Sequence, residues 1–442
     1  MLSRDDARTL LEKVLSYRKT DEGEASLHGG RSGNIRFARN MPTTTGESES
    51  VSLKYTAVIG RKVGSASTSD IDEEGLRDVV RRAENLARLA QDSPEYMPRL
   101  GPQTYVDAPE WDEGATLISP NDRAAVARRA IESARSNDVM AAGFYTHDAS
   151  FSALANSRGL FAYTRSTSVD YMLTMRHEGG NGSGWGAGSS HRPSGVDADL
   201  LTRRALHKAL ASRNPVELEP GVYPVVLEPS CVGDMLQLLY WSLGRRGADE
   251  GRSFFADGEG GTKLGRELFD RGITISSDPA STIAPSTPWG DDGVPLAKTT
   301  WVEKGVLKNL AVGRYWAEKK GIAPLPFGTN IVMEGMDGGV DDLVAATDYG
   351  LLVTSFWYIR GVDPRTLLHT GLTRDGLFLI EDGKLTRPVV NFRWNESPVS
   401  VFAKTEMLGR AERVVTREGN PPMIAPPLKV SEFRFTSLSP ST

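Results

Sequence analysis

Over the first hundred positions the spacing of hydrophobic residues changes from helical to strand-like and back to helical. This pattern restricts this part of the chain to folds that pack helices on a sheet. Apolar residues recur at helical spacing over residues 7–15, and Ser3 and Asp6 have the spacing of a capping box. Over residues 51–67 apolar and polar side chains alternate as in a β-hairpin, and helical spacing returns at 76–86. Residues 1–100 therefore predict an α/β unit in which two helices cover a sheet.

A second unit follows a linker near residue 100 that is rich in proline, glycine and acidic residues. Helical patterns occupy 121–136 and 197–212, and strand-like alternation fills 141–178. The run at 177–195 contains so many glycines that we expect a loop there, one that could line a groove. Residues 101–215 are therefore predicted to form a helix plus β-meander unit.

The remaining residues, 216–442, predict a larger and mostly antiparallel β unit that carries a few helices. Short apolar runs bounded by glycine and proline indicate strands at 223–227, 272–276, 299–304, 307–312, 351–359 and 377–380. The heavily apolar segment 232–243 has helical spacing and is predicted to be a packing helix. The predicted fold class is α+β, with sheet-plus-helix units at the N-terminus and the β-rich unit after them.

The charge balance excludes an overall basic field that would attract nucleic acid or an anionic membrane. The chain has 52 lysines and arginines against 57 aspartates and glutamates, a net charge of −5. Its single cysteine, Cys231, excludes an intrachain disulfide and any zinc site that needs two thiolates. The N-terminus is charged where a signal peptide would be apolar, and the longest apolar stretch, near 349–359, is too short to span a bilayer. We expect a cytoplasmic protein with no nucleic-acid or membrane partner.

The common catalytic motifs are missing from the sequence. It has no P-loop, no G-x-S-x-G and no H-E-x-x-H, and its glycine run at 182–187 follows a polar loop where a dinucleotide site needs a strand. Three of its six histidines, His147, His177 and His191, lie in or beside the predicted meander. They could converge on a metal, but histidines that simply face water explain them better. We assign no catalytic and no metal-binding residue to this chain.

Several segments together resemble the TldD/PmbA family and follow one another from about residue 33 to about residue 414. They read GNIRFARN, GRKVGSASTSDIDEEGL, PVVLEPSCVGDMLQLL, EGRSFFADGEGGTKLG and TRDGLFLIEDGKLTRPV. The resemblance implies a cytosolic heterodimer of two homologous subunits, TldD and PmbA (also called TldE). Such a heterodimer is expected to enclose a cavity and to cleave unfolded peptides with one metal ion.

In the catalytic TldD subunits that this chain resembles, the segment corresponding to the packing helix carries H-E-x-x-x-H, and a later cysteine completes the metal site. Aligned on Pro229 and Gly233, this chain has Gln237 and Ser242 in place of the histidines and Leu238 in place of the glutamate. No later cysteine is present. The resemblance therefore implies the non-catalytic PmbA (TldE) branch, with no cofactor in this chain and zinc or iron in a TldD-like partner.

Aromatic residues are frequent in the second half of the chain, and two pairs are candidates for contact with a peptide or a partner. These are Tyr240–Trp241 and Trp357–Tyr358, although core packing explains them about as well. The expected function is that of a non-catalytic subunit of a metallopeptidase that acts on unfolded or modified peptides. Two alternatives stay open. The chain could be a subunit in a dedicated pathway that matures a peptide natural product, or a stand-alone homodimeric protein with a peptide-binding or regulatory role.

Overall fold

A computed structural model describes residues 1–179, 181–419 and 421–439, and one antiparallel sheet organises the first half of the chain. The strands lie in the order β3-β2-β1-β4-β5-β6. The elements of this half are α1 (Arg4–Ser16), β1 (Glu22–Ala38), β2 (Met41–Ile59), β3 (Lys62–Thr68), α2 (Glu73–Leu89), α3 (Glu113–Thr116), α4 (Pro120–Arg135), β4 (Val139–Asn156), β5 (Phe161–His177), β6 (Ser183–Ser190) and α5 (Ala198–Ala211). Because β1 pairs with β4, the sheet is continuous across the linker near residue 100.

The two pairs of helices pack on the same face of this sheet. Side chains such as Leu27 lie under α1 and α2, and side chains such as Phe37 lie under α4 and α5. Both residues have odd numbers in one strand, so both point to the same face. Part of the other face is polar, and there His28 Nδ1 lies 2.8 Å from the hydroxyl of Ser152. The capping box predicted at Ser3 is present at the start of α1.

The glycine-rich run that was expected to be a loop contains strand β6, so that prediction is wrong. Glycines stand at every second position, 182, 184, 186 and 188, and therefore share one face of the strand. That face lies against α5 so closely that a Cβ at Gly184 would come within 2.6 Å of the Ala209 nitrogen. Glycine is required here because the backbone of the helix approaches the backbone of the strand.

The second half of the chain forms two further sheets, and the predicted α+β class with a larger, mostly antiparallel β unit is confirmed. Its elements are β7 (Val222–Leu227), α6 (Pro229–Tyr240), α7 (Arg245–Asp249), β8 (Ile275–Ser277), β9 (Thr299–Glu303), β10 (Val306–Leu307), α8 (Arg314–Lys320), β11 (Ile331–Met333), α9 (Val340–Ala345), β12 (Tyr349–Val353), β13 (Phe356–Asp363), β14 (Leu368–Thr373), β15 (Leu377–Glu381), β16 (Lys384–Pro388), β17 (Phe392–Glu396), α10 (Pro398–Ala403), β18 (Thr405–Leu408), β19 (Glu412–Val414), β20 (Met423–Ala425) and β21 (Leu428–Leu438).

One sheet has the order β10-β9-β8-β11-β20-β19, and the other runs β13-β14-β17-β21-β7-β12-β15-β16 with β18 added beside β21. The strand predicted at 351–359 is in fact two strands, because the chain leaves the sheet at Thr354 and Ser355 between β12 and β13. The strand predicted at 307–312 is also wrong beyond Leu307, where β10 ends. In the described part of the chain, no helix is long and apolar enough to cross a membrane.

Helix α6 lies in the core that joins the two C-terminal sheets. Proline at its first position suits the helix start, and Val232, Met235, Leu236 and Leu239 are fully buried among residues of both sheets. The helix begins three residues before the predicted segment 232–243 and ends three residues earlier. The prediction of a packing helix is therefore correct in kind and shifted in its bounds.

We expect Gly184→Ala to destabilise the protein by about 1–3 kcal/mol, because the added methyl group overlaps the backbone of α5. Urea denaturation measures the free energy of unfolding. The control is Gly46→Ala in β2, where only the Asn34 amide comes as close as 3.9 Å to the added Cβ, and little change is expected. Equal effects of the two substitutions would contradict the close approach of α5 to β6.

Candidate functional site

The three positions that correspond to the family's catalytic motif lie at the C-terminal half and end of α6. Gln237 and Leu238 are half-buried on the helix, and Ser242 lies beyond its last residue. The Ser242 hydroxyl donates a hydrogen bond of 2.8 Å to the carbonyl oxygen of Leu238. The Gln237 amide packs on the loop before β20, where a Cβ at Gly419 would lie 2.6 Å from Gln237 Nε2.

These residues do not fit a zinc or iron ion. The Gln237 amide is a weak ligand beside an imidazole, and the Ser242 hydroxyl is already engaged with the backbone. Leu238 packs against the core and has no atom that could accept a proton from water. Over residues 1–179, 181–419 and 421–439 no group of three or more His, Cys, Asp or Glu side chains is placed to hold a metal ion.

His147 and His177, near the meander, make other contacts, whereas neither ring nitrogen of the buried His191 has a hydrogen-bond partner in the described part of the chain. Arg123 donates a hydrogen bond of 2.8 Å to His147 Nε2, so that Nδ1 carries the proton and faces the Ala115 carbonyl at 3.1 Å. Burial, with the Arg123 charge second, lowers the pKa of His147 and keeps its ring neutral. His177 accepts from its own neighbour Gly179. The structure therefore gives no support to a metal site in the meander.

Asp234 is the one acidic side chain of α6, and it is buried against the loop that carries residues 416–419. Neither of its carboxyl oxygens has a hydrogen-bond partner in the structure. Burial raises the pKa of Asp234 to about 8, and the nearby charge of Glu418 adds to this effect while Arg417 opposes it. The carboxyl group is therefore protonated at neutral pH.

Arg417 connects this loop to the middle unit of the chain. Its guanidinium forms an ion pair with Asp375, which is almost fully buried. The same group lies 4.3 Å from the ring centre of Trp185 in β6 and 5.6 Å from that of Trp357 in β13. Burial lowers the pKa of Arg417, and the charge of Asp375 opposes this shift. The Arg417 guanidinium is thus held between two indole rings beside α6.

Strand β13 presents two exposed aromatic side chains beside this cation. It is the last strand of its sheet and pairs only with β14 in the described part of the chain. The pairing register breaks between Trp357 and Arg360, and Tyr358 has a φ of 56°, a left-handed conformation that is rare for a bulky residue. Glu418 holds the bulge, since the Ile359 N–H donates to its carboxylate at 2.9 Å. The bulge leaves Trp357 and Tyr358 36% and 52% exposed.

The other aromatic pair is divided between core and surface. Tyr240 is fully buried and donates a hydrogen bond of 3.1 Å to the Gly328 carbonyl, so its side chain lines no groove. Trp241, the next residue, is 49% exposed at the end of α6. Of the four aromatic candidates, the structure brings Trp357 and Tyr358 to the loop at 416–419 and leaves Trp241 at a separate surface.

The sequence analysis missed Trp185, Asp375 and Arg417, which lie far apart in the chain and meet only in the fold. Only Asp234 could have indicated this region from the sequence, because it is an acidic residue within a strongly apolar helical segment. An ionisable group in such a position is either paired or has a shifted pKa.

We expect the pKa of Asp234 to make the stability of the protein depend on pH. Between about pH 4 and pH 8 the unfolded chain releases this proton while the folded chain keeps it, so stability falls as pH rises. The expected slope is about 1.4 kcal/mol per pH unit, and Asp234→Asn should remove it. Urea denaturation at pH 5, 6 and 7 measures the slope, and Asp341→Asn, at an exposed position, is the control. Parallel profiles for the wild type and Asp234→Asn would contradict the assignment.

Comparison with known proteins identifies the family to which this fold and this site belong. Family models for PmbA/TldA metallopeptidases match residues 23–87 as domain 1, residues 115–213 as the central domain and residues 220–437 as the C-terminal domain. Together they cover most of the chain.

A metalloprotease TldD homolog from Buchnera aphidicola is 25% identical over 231 residues, which are 48% of this chain and 46% of that protein. A metalloprotease from Methanothermobacter thermautotrophicus is 28% identical over 186 residues, 41% of this chain and 40% of that protein. Both matches span less than half the length of these relatives. The crystal structure of TldE from Thermococcus kodakarensis has the same fold, with a TM-score of 0.87 at 17% identity over 97% of this chain and 99% of that one. The chain therefore belongs to the PmbA/TldD metallopeptidase family.

Proposed function

We propose that this chain is a non-catalytic subunit of a two-subunit metallopeptidase that acts on unfolded or modified peptides. The observation that carries the proposal is the chemistry of α6, where an amide, an aliphatic chain and an engaged hydroxyl occupy the motif positions. Peptide hydrolysis by a metallopeptidase needs a metal-bound water and a general base, and these positions offer neither. The metal, zinc or iron, would belong to a homologous partner that carries H-E-x-x-x-H.

The free edge of β13 supports a role in holding the substrate. An unpaired strand edge offers backbone N–H and C=O groups to which an extended peptide can add as a further strand. The exposed rings of Trp357 and Tyr358 lie on this strand, and the Arg417 guanidinium lies beside it. Backbone pairing is tolerant of sequence, which suits an enzyme whose substrates are unfolded peptides.

The left-handed conformation of Tyr358 adds to this argument. Such a residue costs about 1–3 kcal/mol and persists where the surrounding structure enforces it. Here the enforcing contact is the hydrogen bond from Ile359 to Glu418, together with the ion pair at 3.4 Å between Arg360 and Glu418. The strain turns two aromatic side chains outward at the strand edge, an arrangement that is useful only if something binds there.

A cytoplasmic location is part of the proposal. The only cysteine, Cys231, is fully buried in α6, and burial raises the pKa of its thiol well above the ordinary value. A buried neutral thiol is chemically inert and needs no oxidising compartment.

We expect the purified chain to contain no stoichiometric transition metal after dialysis, because the donor set on α6 cannot hold one. Elemental analysis by mass spectrometry measures the metal content of the wild type and of the combined variant Gln237→His, Leu238→Glu, Ser242→His. The variant is also expected to stay free of tightly bound metal, because Ser242 lies beyond the helix and no later cysteine is available. One zinc or iron per wild-type chain would overturn the non-catalytic assignment.

We expect the chain alone to leave an unfolded peptide intact, and a mixture with a TldD-like protein that carries H-E-x-x-x-H to cleave it. Cleavage by the mixture should stop when a chelator removes the metal. Trp357→Ala should raise the KM of the mixture several-fold with little change in kcat, because the aromatic edge would contribute binding and not chemistry. Trp111→Ala is the matched control, because that ring packs against Arg165 of β5 and not at the β13 edge. Chelator-sensitive cleavage by the wild-type chain alone would show that the proposal is wrong.

A further inference from the structure

A separate cleft lies beside Trp241 at the C-terminal end of α6, and its lining includes no residue of the loop at 416–419. Its volume is about 410 Å³, and its lining includes Trp241, Phe327, Pro326, Asp291 and Arg314. None of the residues named for the peptide edge lines this cleft. It therefore needs an explanation of its own.

Two aromatic rings form the wall of the cleft and are held in place from behind. The ring centres of Trp241 and Phe327 are 5.4 Å apart, and their planes make an angle of 58°. The buried ring of Tyr240 contacts both, at 5.1 Å from Trp241 and 5.5 Å from Phe327. Trp241 is nevertheless 49% exposed, so one face of a rigidly supported indole is open to a ligand.

The two carboxylates of the cleft differ in their partners. Asp292 lies 3.0 Å from the Arg99 guanidinium and 3.8 Å from that of Arg314, so its charge is compensated. Arg314 also donates to the Pro98 carbonyl at 2.6 Å. Asp291 is exposed and has no ion-pair partner in the described part of the chain. Arg99 also pairs with Glu24 at 3.1 Å, so two guanidinium groups face the three carboxylates of Glu24, Asp291 and Asp292, and one negative charge stays uncompensated.

The backbone at the end of α6 does not add to this charge, because the last four carbonyl groups of the helix each accept a hydrogen bond from the residues at 241–243. Two independent features, the aromatic wall and a free carboxylate, thus select a cationic ligand.

We propose that this cleft binds the cationic side chain of a lysine or arginine in an extended peptide. The indole face of Trp241 would cover the alkyl stem and the charge, and the Asp291 carboxylate would pair with the ammonium or guanidinium group. The inference rests on the proposed function for one point only, that the ligand is a peptide. It adds a preference for basic residues that backbone pairing at β13 does not supply.

The proposal is tested by direct binding to the full chain without any partner subunit. Fluorescence anisotropy compares three labelled, capped pentapeptides that carry lysine, norleucine or glutamate at the centre and alanine elsewhere. We expect the lysine peptide to bind about tenfold more tightly than the norleucine peptide, with the difference decreasing at high salt. The glutamate peptide should bind most weakly.

Variants locate the effect at the cleft. Trp241→Ala and Asp291→Asn should each remove most of the lysine preference, and Trp241→Phe should retain part of it, because a ring face is kept. Trp111→Ala and Asp341→Asn, which change an aromatic residue and an exposed carboxylate elsewhere, are the controls and should keep the preference. Thermal unfolding followed by circular dichroism checks that each variant is folded.

The possible failures are distinguishable from those of the proposed function. Equal binding of the lysine and norleucine peptides by the wild type, or a lysine preference that survives Trp241→Ala, would overturn the cation subsite. Neither result affects the metal analysis or the cleavage assay with a TldD-like partner. Conversely, cleavage by the chain alone would overturn the subunit assignment and leave a measured lysine preference in place.

Discussion

The burial of α6 between the two C-terminal sheets is the constraint on which the rest of the structure depends. Val232, Met235, Leu236 and Leu239 have no exposed surface, and a buried side chain of this size contributes about 1.5–3 kcal/mol. A helix whose apolar residues are buried among both sheets cannot shift without rearranging those sheets. Every group attached to α6 is therefore held at a fixed position, and this includes groups that face outward.

Helix α6 supports two surfaces of different chemistry. On one side Asp234 and Gln237 pack against the loop at 416–419, which supports the bulged edge of β13. At its end Trp241 forms the wall of the acidic cleft. Asp234 and Trp241 are seven residues apart, about 10 Å along the helix axis, so the fixed helix also sets the separation of the groups behind these two surfaces.

Local patterns predicted most elements of the first half of the chain and several of the second, and two of the errors have a common cause. The capping box of α1, the hairpin of β2 and β3 and the packing helix α6 depend on contacts within a few residues of the chain or on one apolar face. Strand β6 was missed because its glycines are explained by the backbone of α5, which lies further along the chain. The chain leaves the sheet at two buried residues, Thr354 and Ser355, and these divide the single strand predicted at 351–359. In both cases the deciding contact is tertiary.

The sequence by itself determined the fold class, the family and the chemistry of the motif positions, because periodicity and residue type are local properties. Gln237, Leu238 and Ser242 cannot form a zinc site in any fold. Only the tertiary structure decided that Tyr240 is buried while Trp241 is exposed, since Tyr240 packs into the core and Trp241 lies at the end of the helix, where the core stops. It also brought Arg417 to Trp185 and Trp357, residues from three separate segments, and left Asp291 without an ion-pair partner among the described residues. Such placements depend on long-range packing, and no local pattern of residues encodes them.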